Sequence, residues 1–218
     1  AAIDAAEAAG ADTVSEIQAI VDQVIANLIV AAAIDKIEAY AGSNTNPAPE
    51  VADYSTAEIT GVTAENLADV NAAIDAAEAT GADTASEIQA IVDQVIADLA
   101  AAAAVDKIEA YAGSNTNPAP ELADYSTAGI TGVTTENLAD VNAAIDAAEA
   151  AGADSASEIQ AIVDQVIADL AAAAAVVAAV DKIEAYAGSN TNPAPELADY
   201  STAGITGVTA ENLADVNA

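Results

Sequence analysis

"SEIQAIVDQVIADLAAAAAVDKIEAY", Ser86–Tyr111, decides the fold. It holds no proline or glycine, and its commonest residue, alanine, is the strongest helix former. A capping box opens it, with Thr84 as the cap and Glu87 in the first turn; Thr13/Glu16 and Ser155/Glu158 repeat the pattern. The stretch predicts one helix from about Ala85 to Ala112, roughly 40 Å long at 1.5 Å per residue. At about 100° per residue, Ile88, Ile91, Val92, Val95, Ile96 and Leu99 fall on one stripe. Beyond the run Ala100–Ala104, Val105, Ile108 and Tyr111 fall on nearly the opposite side. One helix therefore offers two apolar faces to two partners, and its second half is predicted to dock on the next unit of an array.

That array is written in the sequence. The opening "AAIDAAEA" recurs at Ala1, Ala72 and Ala143, a period of 71 residues. The repeats are 1–71, 72–142 and 143–217, and Ala218 opens a further one, as though the chain were cut from a longer series. Repeat three carries a four-residue insert within Ala171–Val180, inside the long helix. Four residues add about one turn, so the second stripe rotates by only ~40°.

Each repeat parses into about three helices. After the long helix comes "GSNTNPAPE", letter for letter at Gly42–Glu50, Gly113–Glu121 and Gly188–Glu196. Gly113 suits the left-handed position that ends a helix, Asn115 and Asn117 suit a turn, and Pro118 keeps Asn117 extended. Pro120 fits the first position of a short helix, "PELADYSTA", with Leu122 and Tyr125 facing inward. "GITGVT" then reads as an extended connection, with Gly129 and Gly132 as breakers and Ile130 and Val133 in the core. Thr63 and Thr134 are the expected caps of a third helix running to Ala79 and Ala150, with Leu67, Val70 and Ile74 on one face and Gly81 ending it. The fold class is all-α, tandem helical repeats stacked into an elongated array.

Composition narrows the function. Three lysines face 36 carboxylates for a net charge of −33, and there is no Arg, His, Cys, Met, Phe or Trp. Nucleic acid needs clustered Lys or Arg, so it is excluded as a partner, and an anionic membrane surface goes with it. The longest uncharged helical run, Leu170–Val180, is well short of the ~20 residues that span a bilayer, so no membrane insertion is expected. Imidazole and thiolate chemistry is absent, and carboxylates without an aromatic-lined pocket read as solvated helix faces. No enzyme activity is expected.

Calcium takes six to eight oxygen ligands, which makes divalent cations the serious ligand class. Two segments are weak calcium candidates: "GADTASE" and its copies, with Asp12, Asp83 and Asp154, and the "GSNTN" turn, with Asn44, Asn115 and Asn190. Neither matches an EF-hand loop, and capping or turn formation already explains most of their polar residues. Lys36, Lys107 and Lys182 share one repeat position. They read either as inter-repeat ion pairs or as cations offsetting a helix C-terminus. Tyr111 and Tyr125 read as core residues with hydroxyls at the edge, or as a carbohydrate platform.

The stretch "IEAYAGSNTNPAPELADYSTAGITGVTAENLADVNA", Ile183–Ala218, resembles alanine-rich helical repeats of very large exported bacterial proteins, giant surface adhesins among them. The "NTNPAP" turn, the "ADY" of the short helix and "GITGVT" carry the resemblance. It implies a spacer or stalk at the cell surface or outside the cell, with no catalytic residues or cofactor. Its partners would be other copies, through end-to-end or lateral repeat packing. A calcium- or glycan-binding adhesin module is the alternative.

Overall fold

The structure is a computed structural model that describes residues 13–42, 45–77, 81–113, 116–148, 152–189 and 191–218. Nine α-helices and no strand occur among them. They are α1 (Val14–Tyr40), α2 (Val51–Thr56), α3 (Leu67–Ala76), α4 (Ala85–Tyr111), α5 (Leu122–Thr127), α6 (Leu138–Ala147), α7 (Ala156–Gly188), α8 (Leu197–Thr202) and α9 (Leu213–Val216). Each repeat thus supplies a long helix, a six-residue helix and a third helix, as its sequence predicts.

The long helices start where their caps require. Thr13 Oγ1 accepts from the Glu16 N–H at 3.3 Å while Glu16 Oε2 accepts from the Thr13 N–H at 2.9 Å. The Glu87 and Glu158 N–H groups likewise donate to the Thr84 and Ser155 hydroxyl oxygens at 3.3 and 3.4 Å, and those hydroxyls donate to Glu87 Oε2 and Glu158 Oε2, both at 2.7 Å. The insert of repeat three lies inside α7, which reaches 33 residues against 27 for α4.

Two compact units divide the chain, Ala1–Ala100 and Ala101–Ala218. The boundary falls inside α4, in its alanine run. The core of the first unit takes Ile37 from the C-terminal half of α1, Tyr54 from α2 and Ile59 from the connection. It adds Val70 and Ile74 from α3, then Ile88 and Val92 from the N-terminal half of α4. In the second unit Ile108, Tyr125, Ile130, Val141, Ile145, Ile159 and Val163 form the same core, each 71 residues further on. The packing module is therefore out of phase with the sequence repeat. It begins halfway along one long helix and ends halfway along the next, so α4 gives its two halves to two cores, as its two stripes predict. Each fully buried Ile or Val contributes roughly 1.5–3 kcal/mol of hydrophobic stabilisation, which an alanine-rich chain has few other places to find.

Five local expectations are corrected. The third helix starts at Leu67 and Leu138, not at Thr63 and Thr134, because Asn66 and Asn137 close a separate turn first. The Asn66 Oδ1 accepts from the Thr63 N–H at 2.8 Å and its amide donates to the Gly61 carbonyl at 2.9 Å. Pro120 precedes the cap instead of opening the helix. Glu121 is the N-cap, and its N–H donates to Asp124 Oδ2 at 2.7 Å, a bond proline could not make. Leu122 is 36% exposed, since a helix of six residues turns only one side, that of Tyr125, to the core. Gly42 and Gly113 are left-handed as expected, with φ of 67° and 66°, whereas Gly188 is the last residue of α7. The third helix also ends sooner than expected, at Ala76 and Ala147, where Ala77 and Ala148 turn extended; Ala79 and Ala150 themselves lie outside the described residues.

Candidate functional site

The repeated corner "GSNTNPAPE" gathers most of the polar turn chemistry. Its second asparagine closes the preceding helix, because the Asn46, Asn117 and Asn192 amides donate to the carbonyls of Ala39, Ala110 and Ala185. The N–H groups of Gly42 and Gly113 reach across to the carbonyls of Asp75 and Asp146 at 3.0 and 3.1 Å. Pro49 and Pro120 present their carbonyls to the Asn71 and Asn142 amides at 2.9 and 3.0 Å. Those same asparagines accept from the Tyr54 and Tyr125 hydroxyls at 2.7 and 2.6 Å. Corner, short helix and third helix are thereby fastened through one amide.

The lysines complete the corner. Lys36, Lys107 and Lys182 meet Asp53, Asp124 and Asp199 at 2.5, 2.6 and 2.5 Å. Each pair lies within one repeat, which corrects the inter-repeat ion-pair reading. Each aspartate also caps its short helix, as Asp53 does by accepting from the Glu50 N–H at 2.7 Å. Burial alone would raise the Asp53 and Asp124 carboxyls. The lysine and the backbone N–H outweigh it and hold both below the usual aspartate value. Burial pushes the Tyr54 and Tyr125 hydroxyls well above the ordinary tyrosine value, with Tyr40 or Tyr111 and the adjacent aspartate adding to it.

A second fastening lies outside the corner. Gln89 Oε1 accepts from the Thr60 N–H at 2.8 Å and its amide donates to the Thr60 carbonyl at 3.1 Å; Gln160 clamps Thr131 in the same way. Beside each clamp, a Cβ added at Gly61 or Gly132 would stand 2.6 or 2.7 Å from the Ile96 or Ile167 Cδ1. The φ of 87° and 86° requires glycine there, and the isoleucine tip would have to shift for any Cβ.

Of the calcium candidates, Asp12, Asn44, Asn115 and Asn190 lie outside the described residues. Asp83 and Asp154 each lie beside the capping glutamate one turn on, Glu87 and Glu158. The Asp83 and Asp154 carboxyls are raised and those of Glu87 and Glu158 lowered by this proximity. No group of three or more ligating side chains able to hold a metal ion occurs among the described residues. Three helices, Val14–Glu38, Ala85–Tyr111 and Ala156–Gly188, are long and apolar enough to cross a membrane by length and composition.

Sequence reading passed over Asn71 and Asn142 and the clamps Gln89 and Gln160. The signal for the asparagines was present: Asn71 sits in the i, i+3, i+4, i+7 stripe of Leu67, Val70 and Ile74, where a polar residue implies a buried bond. No family model, curated protein or solved structure matches the chain.

Proposed function

We propose that this chain is a structural repeat module, a segment of a stiff, acidic, extracellular rod, stalk or filament. The observation that carries the reading is the pair of cores matched residue for residue at an offset of 71. Each is closed by half of a shared helix, so extending the array means adding the same unit again. The corner supports it further, because Pro49 and Pro120 are engaged by Asn71 and Asn142, and Lys36 and Lys107 by Asp53 and Asp124. A net charge of −33 adds repulsion between chains and keeps the surface hydrated. The long helices belong to a water-exposed scaffold: α4 carries Asp93 and Asp98 bonded to Gln89 and Gln94 at 2.8 and 2.7 Å. A carboxylate at mid-bilayer costs about 2.5–3.5 kcal/mol.

Small-angle scattering tests the rod. A compact chain of 218 residues has a radius of gyration of roughly 17 Å. The scaffold reading expects a value at least ~1.5-fold larger, and a value near that of the globule ends it.

A further inference from the structure

A groove of about 420 Å³ lies between α3 and the N-terminal half of α4. Ala73 of α3 lines it together with Ala90, Ile91 and Val95 of α4. Ile91 and Val95 are half-buried against the first core, which leaves one side of each to the groove. The second unit carries the same feature on its own core, about 410 Å³ lined by Ala144, Ala161, Ile162 and Val166. Every residue that lines one groove recurs at the same repeat position in the other.

Carboxylates mark both ends of each groove. Glu87, Ile91, Gln94 and Asp98 follow one another along one face of α4, at steps of three and four residues. Glu87 and Asp98 therefore stand three turns apart, ~16 Å at 1.5 Å per residue. Both are steadied through one oxygen. The Thr84 hydroxyl donates to Glu87 Oε2 at 2.7 Å, and the Gln94 amide donates to Asp98 Oδ1 at 2.7 Å. Ser155 and Gln165 hold Glu158 and Asp169 alike, at 2.7 and 2.8 Å. Asp83 and Glu38 add negative charge at the Glu87 end, as Asp154 and Glu109 do at the Glu158 end. Among the described residues, no lysine lines either groove.

This arrangement selects among cations. A metal ion gathers its oxygens within about 2.6 Å of one point, so two carboxylates three turns apart cannot share one. A hydrated ion also gains nothing from an apolar floor. A methylene chain with an ammonium at each end uses the whole groove. Its methylenes leave water on Ala90 and Ile91 while each ammonium meets a carboxylate. We infer that each groove binds a linear aliphatic cation of the diamine or polyamine class, with one ammonium on Glu87 or Glu158 and the other on Asp98 or Asp169. Repeat one carries Asn27 at the place of Asp98 and Asp169, so two sites per chain are expected. The site needs only a closed module, so it goes beyond the scaffold reading and does not depend on it.

Calorimetric titration of the full chain with terminal diamines at fixed ionic strength reads the site, because every member of the series carries the same charge. The twelve-carbon diamine can reach both carboxylates, whereas four-carbon putrescine cannot. The longer one should bind at least ~10-fold more tightly, at two per chain. Asp98→Asn with Asp169→Asn installs the residue that repeat one already has. This double variant should weaken the long diamine about threefold or more and leave putrescine nearly unchanged. Asp106→Asn with Asp181→Asn removes the same charge away from the grooves and should change neither affinity. A methyl NMR titration of the parent chain needs no variant to fold. The Ile91 and Ile162 signals should move and saturate with the long diamine, and stay in place with magnesium at equal charge. Equal affinity for both diamines, the same loss in both double variants, or unmoved Ile91 and Ile162 signals would mean a diffuse ion atmosphere alone and overturn the inference.

Discussion

Glu58→Gly should stabilise the first unit. Glu58 has φ of 62°, the one non-glycine residue with positive φ among the described residues, where repeats two and three have Gly129 at 76° and Gly204 at 75°. The surrounding hydrogen bonds are the same in both settings. Glu58 N–H reaches the Ser55 carbonyl at 3.2 Å and Ile59 N–H the Tyr54 carbonyl at 2.9 Å; Gly129 and Ile130 repeat this at 3.2 and 2.8 Å. These two bonds form the helix-ending motif that places a left-handed residue just past the cap. The substitution therefore changes the side chain at a fixed backbone and nothing else. Left-handed geometry costs a non-glycine residue about 1–2 kcal/mol. The greater freedom of glycine in the unfolded chain returns about 0.5–1 kcal/mol of that. A net gain of about 0.5–1 kcal/mol follows, or roughly 2–8 °C in melting temperature for a unit of this size. Hydrogen exchange read by mass spectrometry on peptides from Val51–Ile74 isolates the first unit from the second. Slower exchange there, with the second unit unchanged, is the expected result. Unchanged or faster exchange would refute the strain argument and mean that Glu58 makes a contact worth more than its backbone costs.

Two further outcomes follow from the buried asparagine and tyrosine. Tyr125→Phe leaves Asn142 Oδ1 without its hydroxyl donor and should destabilise the second unit by about 1–3 kcal/mol in urea unfolding; an unchanged midpoint would show that water satisfies the amide. Alkaline stability should also fall. The Tyr54 and Tyr125 hydroxyls are raised in the folded chain, so the stability they contribute is fully present below the unfolded value near ~10 and is lost as pH climbs toward the folded one. Melting temperature should drop above pH ~10, and the double variant Tyr54→Phe, Tyr125→Phe should lack that drop.

The legible part of the fold was the part fixed by neighbours in sequence. Helix length, the boxes at Thr13, Thr84 and Ser155, the left-handed Gly42 and Gly113 and the opposed stripes of α4 all follow from residues within a few turns. Thr63 misled because Asn66, three residues on, competes for the same turn and delays the helix. Gly188 is more instructive, since its nine-letter context is identical to that of Gly42 and Gly113 yet its conformation differs. Gly42 and Gly113 donate to carbonyls distant in sequence, those of Asp75 and Asp146, which their local context does not reveal. The ion pairs were half-legible. The lysines stood out as lone cations, but Asp53, Asp124 and Asp199 were hidden among many carboxylates until the short helix brought them near. In the segments that hold Asp83 and Asp154, the capping roles of Thr84 with Glu87 and of Ser155 with Glu158 came directly from their spacing.

The central claim is that one long helix belongs to two independent cores, and paired substitutions in α4 test it. Ile88 and Ile108 are both fully buried on the same helix, the first in the core with Tyr54 and the second in that with Tyr125. Replacing either by alanine should cost about 2–5 kcal/mol. Hydrogen exchange should show Ile88→Ala loosening Tyr54 and Val70 and sparing Tyr125 and Val141, and Ile108→Ala doing the reverse. If both substitutions loosen the same peptides to the same degree, the chain has one core and the account of its modules is wrong.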